Sequence, residues 1–122
     1  MICPLKHVKI HSGELKEADR KFSLTLFEVE NAVLAFFNEG EKMRLGTFSI
    51  ATPAISGETP IISSILLGDR NTATTRILAE RLSAYYGKMA LVSTSIKEVN
   101  EAEAGPALMK LTQKFLKKRE KK

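Results

Sequence analysis

Cysteine is nearly absent. The 122-residue chain holds one, Cys3, so no disulfide closes within it and no multi-cysteine metal site is available, a usage that suits a reducing compartment. Long hydrophobic runs are missing as well. No stretch approaches the roughly 18–20 apolar residues that cross a bilayer as a helix. Met1 to Ile10 interleaves Lys6, His7 and Lys9 with its apolar residues, which is not the pattern of a signal peptide. There is also no internal repeat and no low-complexity linker. Together these absences predict a soluble, cytoplasmic protein.

What is present fits one compact unit. With 43% hydrophobic and 27% charged residues, a chain of this length buries roughly two-thirds of the surface its unfolded form exposes. That is enough for one sheet with helices on it and too little for a deep active site with a lid, which favours a binding module over an enzyme. The net charge of +5 is concentrated at the C-terminus. Residues 110–122 carry seven basic side chains against Glu120, seven minus one or +6, so the rest of the chain is close to neutral. We therefore expect a single α+β domain over residues 1–116 and a basic C-terminal tail over 117–122. Lys117, Lys118 and Arg119 are candidates for electrostatic contact, and nucleic acid is an improbable partner.

The hydrophobic pattern gives the elements. Leu5 to His11 alternates as an edge strand does, and Ser12-Gly13 with the charged run 14–21 closes it as a turn. Phe22, Leu24 and Leu26 share one strand face, and the parity then switches to Phe27 and Val29, as in a bulge or a strand buried on both sides. Ala32 to Phe37 is apolar at every position, and residues 38–41 read as the turn of a hairpin to a strand over 43–50, with Gly46 marking a bulge or close packing. Residues 51–60 form a loop, and 61–67 a short buried strand. Ile77, Leu78, Leu82 and Tyr85 then mark a helix that ends at Gly87, with Asp69, Asn71 and Thr72 as capping candidates. A strand follows over 88–96, and a final helix begins after Gly105 with Pro106 in its first turn. The expected architecture is a central, mainly antiparallel sheet of about six strands flanked by helices.

Motifs for chemistry are weak. Cys3, His7 and His11 recur every four residues, but on a strand rising about 3.3 Å per residue they stand roughly 13 Å apart, too far to share one metal. The turn from Leu66 to Thr75 joins a strand to a helix, yet it has one glycine, no P-loop lysine and an acidic Asp69 where an anion would sit. Ser63-Ser64 lacks a nucleophile-elbow sequence, and neither histidine has an obvious carboxylate to orient it. No catalytic, cofactor-binding or metal-binding residue is assigned. Tyr85-Tyr86 with Arg81, Lys88 and the tail could form an RNA surface, but one tyrosine completes the helix stripe and the other sits at the helix end.

The segment Ile62 to Ile96 resembles the proteasome assembly chaperone 4 family, as an archaeal-type homologue. The match is sharpest at Ser63-Ser64-Ile65-Leu66-Leu67-Gly68-Asp69, Thr72, Thr74-Thr75, Leu78-Ala79-Glu80-Arg81-Leu82 and Val92-Ser93, about a third of the chain. The family signature falls on Leu66, Leu67, Gly68, Asp69, Thr72, Thr74 and Thr75. The resemblance implies an antiparallel sheet flanked by helices, pairing with a like-folded subunit, and guidance of proteasome α-subunits into their ring without cofactor or catalysis. With no clue to a like-folded heteropartner, a homodimer is the simpler assembly. The abundance of Lys and Glu with a single Cys suits a thermophilic microbe.

A protein-binding role needs exposed apolar surface or an unpaired sheet edge. The candidates for partner contact are Phe22, Leu24, Phe36, Phe37 and Tyr86. The expected function is a non-enzymatic scaffold that dimerises and binds proteasome α-subunits or a second assembly-chaperone homologue. The alternative is an orphan ligand- or nucleic-acid-binding domain that uses the basic tail.

Overall fold

The computed structural model describes residues 8–17, 19–40, 42–53, 62–97 and 99–120, with the backbone alone at positions 119 and 120. In chain order the elements are β1 (Lys9–Glu17), β2 (Arg20–Glu28), β3 (Ala32–Glu39), β4 (Thr47–Thr52), β5 (Ile62–Leu67), α1 (Thr72–Tyr86), β6 (Met89–Ser95) and α2 (Glu101–Glu120). They make a single domain with one six-stranded sheet in the order β1-β2-β3-β6-β4-β5. β3 and β6 run parallel, and the other four pairings are antiparallel. The mainly antiparallel α+β architecture expected from the sequence is the one found.

Both helices lie on the same face of the sheet. That face carries Leu24, Leu26, Val33, Ala35, Phe37, Ala90 and Val92, which are fully buried against Leu78, Ala79 and Leu82 of α1 and Leu108 and Leu111 of α2. α1 packs over β4, β6 and β5, and α2 over β1 and β2. Gly13 of β1 leaves room for Phe115, since a Cβ there would lie 3.3 Å from its ring.

Several expectations are corrected. β1 runs on through Glu17 where a turn was expected, because Gly13 and Leu15 keep the inward parity while Glu14 and Lys16 project from the other side; Leu5 to His7 lie outside the described residues. No bulge breaks β2, and the strand is not buried on both sides either: the parity switches because Phe27 stands on the face opposite Leu26, where it is half-buried. β3 and β4 do not form a hairpin, because β6 inserts between them and pairs with both. β5 is an edge strand, not a buried one, with Ile62, Leu66 and Leu67 exposed. Of the two readings of Gly46, close packing is the one found, since a Cβ there would lie 2.0 Å from the Thr94 carbonyl oxygen, and the bulge lies in the β4·β5 ladder, between Phe48 and Ser49.

α1 ends at Gly87, whose left-handed backbone (φ +66°) donates its N–H to the Ser83 carbonyl at 2.8 Å. Its N-terminus carries no side-chain cap; Asn71 is itself left-handed there, and its carbonyl instead accepts from Thr75. The buried stripe is Thr75, Leu78, Ala79, Leu82 and Ser83, leaving Ile77 and Tyr85 outside. α2 starts five residues earlier than expected, since the Asn100 side chain accepts the Glu103 N–H at 2.9 Å and caps it. Pro106 is thus inside the helix.

A candidate protein-docking face

Residues paired across strands share a sheet face, so the register traces the side that carries no helix. Ile10, Phe27, Leu34, Leu91 and Ile50 stand in one row across β1, β2, β3, β6 and β4. The adjacent row places Phe36 of β3 and Phe48 of β4 on either side of Ser93, and ends on Leu67 of β5. The Phe27 and Phe36 rings meet edge to face, with centroids 6.1 Å apart. An antiparallel sheet that keeps one face in water carries polar residues there. Here a row of apolar residues crosses the second face too, among polar ones such as Thr25 and Ser93, and the two described helices cover only the first. Its side chains are mostly half-buried by their neighbours, with Ile10 and Leu67 the exposed members of the two rows.

One end of this face is treated differently. The connection from β3 to β4 lies over it, held by three polar side chains that alternate with the core residues. Ser23 Oγ donates to the Gly40 carbonyl at 2.9 Å. Asn38 Oδ1 accepts the Arg44 N–H at 3.0 Å, and Ser93 Oγ accepts the Gly46 N–H at 2.9 Å. Asn38 and Ser93 are buried by it. The same connection leaves Met43 47% and Leu45 62% exposed.

The residues proposed for partner contact divide. Phe22, Leu24 and Phe37 are 2%, 0% and 0% exposed and belong to the core under the helices, so they do not offer a partner surface. Their parity, not their size, decides this. Phe36 is on the open face, half-buried among its neighbours. Tyr86 packs against the core with its hydroxyl buried, while Tyr85 is the exposed member of the pair, the reverse of the expected assignment. Phe27, Leu34, Phe48, Ile50 and Leu91 were missed. The uniformly apolar run 32–37 carried the signal, since a strand apolar on both parities places apolar side chains on both faces of the sheet.

The signature residues form a structural joint. Gly68 has φ +92°, and a Cβ on it would fall 2.6 Å from Thr47 Oγ1. Thr47 in turn donates to the Arg70 carbonyl at 2.5 Å. The buried Thr75 hydroxyl sits 2.7 Å from that of Thr94 and 2.6 Å from the Asn71 carbonyl. Thr74 faces α2 at Gly105, where a Cβ would lie 3.1 Å from its hydroxyl. Thr72 begins α1, and Asp69, Leu66 and Leu67 are exposed. Together these tie the edge hairpin to α1 and β6.

Lys117 and Lys118 are exposed on α2, while the Arg119 side chain lies outside the described residues. His11 Nε2 lies 3.5 Å from Glu28, and its ring meets Phe115 edge to face. Cys3 and His7 lie outside the described residues. Among the described residues no three His, Cys, Asp or Glu side chains converge as metal ligands would. No described helix is long and apolar enough to cross a membrane.

Among the described residues the sheet thus carries helices on one side and none on the other. Its backbone is similar to a chain of a solved structure, a novel chaperone complex for yeast 20S proteasome assembly. The TM-score is 0.62 and the identity 16%, with 91% of each chain covered. The likeness is one of fold. No family model matches the chain, and no curated protein matches it.

Proposed function

We propose that this chain is a non-enzymatic, cytoplasmic protein-binding subunit, an archaeal-type relative of the proteasome assembly chaperones suited to a thermophile. It dimerises with a second copy through the open sheet face and, so assembled, binds proteasome α-subunits or a second assembly-chaperone homologue as a scaffold. The supporting observation is the row Ile10, Phe27, Leu34, Leu91 and Ile50, which crosses five strands with no helix over it. Two such faces stack at about 10 Å, as sheets in a sandwich do. A face five strand spacings wide and some seven residues tall projects on the order of 500 Å². Side-chain relief brings that toward the roughly 800 Å² per partner of a stable interface. The similarity to a subunit of a chaperone complex supports a protein as the partner.

The deciding experiment is solution mass by light scattering at high salt, for the wild type and for Leu34→Asp, followed by capture of recombinant α-subunits on the tagged chain. A dimer that becomes a folded monomer on substitution, together with α-subunit capture, is expected. A wild-type monomer that captures nothing would reject the reading. A second reading, nucleic-acid binding, is favoured by Lys110, Lys114, Lys117 and Lys118 lying together on α2. It requires affinity that falls steeply with salt.

A further inference from the structure

We propose that the cleft at the carboxyl ends of β3 and β6 docks an acidic, extended segment of a partner protein, with Lys42, Arg44 and Lys97 holding its carboxylates. The proposal rests on the reading of the chain as a protein-binding subunit and adds a second contact, beside the open face. The cleft measures about 430 Å³. Arg20 and Lys21 enter from the start of β2, Lys42 and Arg44 from the β3–β4 connection, and Lys97 from the end of β6.

The acidic lining is smaller and partly engaged. Asp19 and Glu39 are its acidic members, and the Glu39 carboxylate accepts the Val99 N–H at 3.3 Å and lies 3.5 Å from Arg20. Lys21 pairs with Glu14 at 3.2 Å. Among the described residues the side chains of Lys42, Arg44 and Lys97 take part in no ion pair. Three like charges converging on one cleft repel one another until an anion enters, so the site is matched to negative charge.

Two of the three cations, Arg44 and Lys97, stand on anchored backbone. The backbone of Arg44 is held on both sides, its N–H by Asn38 and its carbonyl by the Ser93 hydroxyl at 3.4 Å. The Lys97 carbonyl accepts from Arg70 Nη1 at 3.2 Å. Fixing the chain that bears these groups before the ligand arrives lowers the ordering cost of binding.

The lining distinguishes among anions. It contains no aromatic side chain, so it offers no platform for stacking bases. It contains neither a glycine-rich nest nor a helix N-terminus that would cradle a phosphate. Met43 and Leu45 stand exposed on the same connection, which suits an acidic segment with apolar side chains between its carboxylates. Glu41 and Glu98, outside the described residues, adjoin the cluster in the sequence. A probe with several carboxylates at low salt is the appropriate one.

The test is fluorescence anisotropy of a fluorescein-labelled decapeptide of alternating Glu and Leu, titrated with the full chain. The wild type is expected to bind, K42Q/R44Q/K97Q to bind at least tenfold more weakly with unchanged melting temperature and solution mass, and K117Q/K118Q to bind as the wild type. Equal binding by the triple variant, loss on changing the tail, no binding by the wild type, or tighter cleft-dependent binding of labelled oligo-dT would each overturn it. Solution mass keeps the two readings apart: a monomer that binds the peptide through the cleft sinks the dimer alone, and a dimer that ignores the peptide sinks the cleft alone.

Discussion

A Cβ placed on Gly46 would lie 2.0 Å from the carbonyl oxygen of Thr94, a backbone atom that has nowhere to move. Gly46→Ala must therefore push β4 away from β6 or lift the connection that Ser93 holds. We expect a loss of about 3 kcal/mol or more in urea unfolding, at the upper end of overpacking effects. Gly40→Ala is the contrast. Its φ is +89° but nothing lies within 4 Å, so only the left-handed backbone penalty of about 1–2 kcal/mol is expected. Equal losses at the two positions would show that the close approach does not exist.

The joint between α1 and β6 has a similar test. Thr75 and Thr94 share a hydrogen bond with both side chains buried. Thr75→Val strands the Thr94 hydroxyl and removes the bond to the Asn71 carbonyl, at an expected cost of about 1–3 kcal/mol. The double variant T75V/T94V should lose less than the sum of the two single changes, by about 0.5 kcal/mol or more. Strict additivity in a double-mutant cycle would remove the pairing.

How far the sequence reached follows from what each signal depends on. α1 was legible because its stop is local, a glycine at the left-handed position 87, and its end fell where expected. The start of α2 was missed because Pro106 advertises a first turn, while the cap that begins the helix, Asn100, is six positions earlier and had no apolar stripe ahead of it. The insertion of β6 between β3 and β4 depends on contacts some fifty residues apart, which periodicity does not encode. Parity assigned Phe22, Leu24 and Leu26 to one face, but which face the helices take is a tertiary choice. This is why Phe22 and Leu24 were read as partner contacts when Phe27 and Leu34 are the outward residues.

Pro106 yields a prediction of opposite sign. It sits in the sixth position of α2, past the first turn where its missing N–H would cost nothing, and it leaves the Ala102 carbonyl without its helical donor. Pro106→Ala should raise stability by about 1 kcal/mol or more, read as a higher melting temperature. A drop instead would mean that the ring packs against α1 more favourably than a hydrogen bond restores.

Leu26 and Leu34 separate folding from assembly. Leu26 is fully buried beneath α2, and Leu34 is on the opposite face in the neighbouring strand. Leu26→Ala should cost about 2–5 kcal/mol of stability. Leu34→Ala removes a side chain that the fold buries only in part, so at low protein concentration its unfolding curve should match the wild type within about 1 kcal/mol. Its dimer, however, should dissociate at a several-fold higher concentration. The concentration dependence of the melting temperature reads both effects at once, because a dimer is stabilised by mass action and a monomer is not. If the wild type shows no concentration dependence, or if Leu34→Ala retains all of it, the helix-free face is not the surface through which copies of this chain meet.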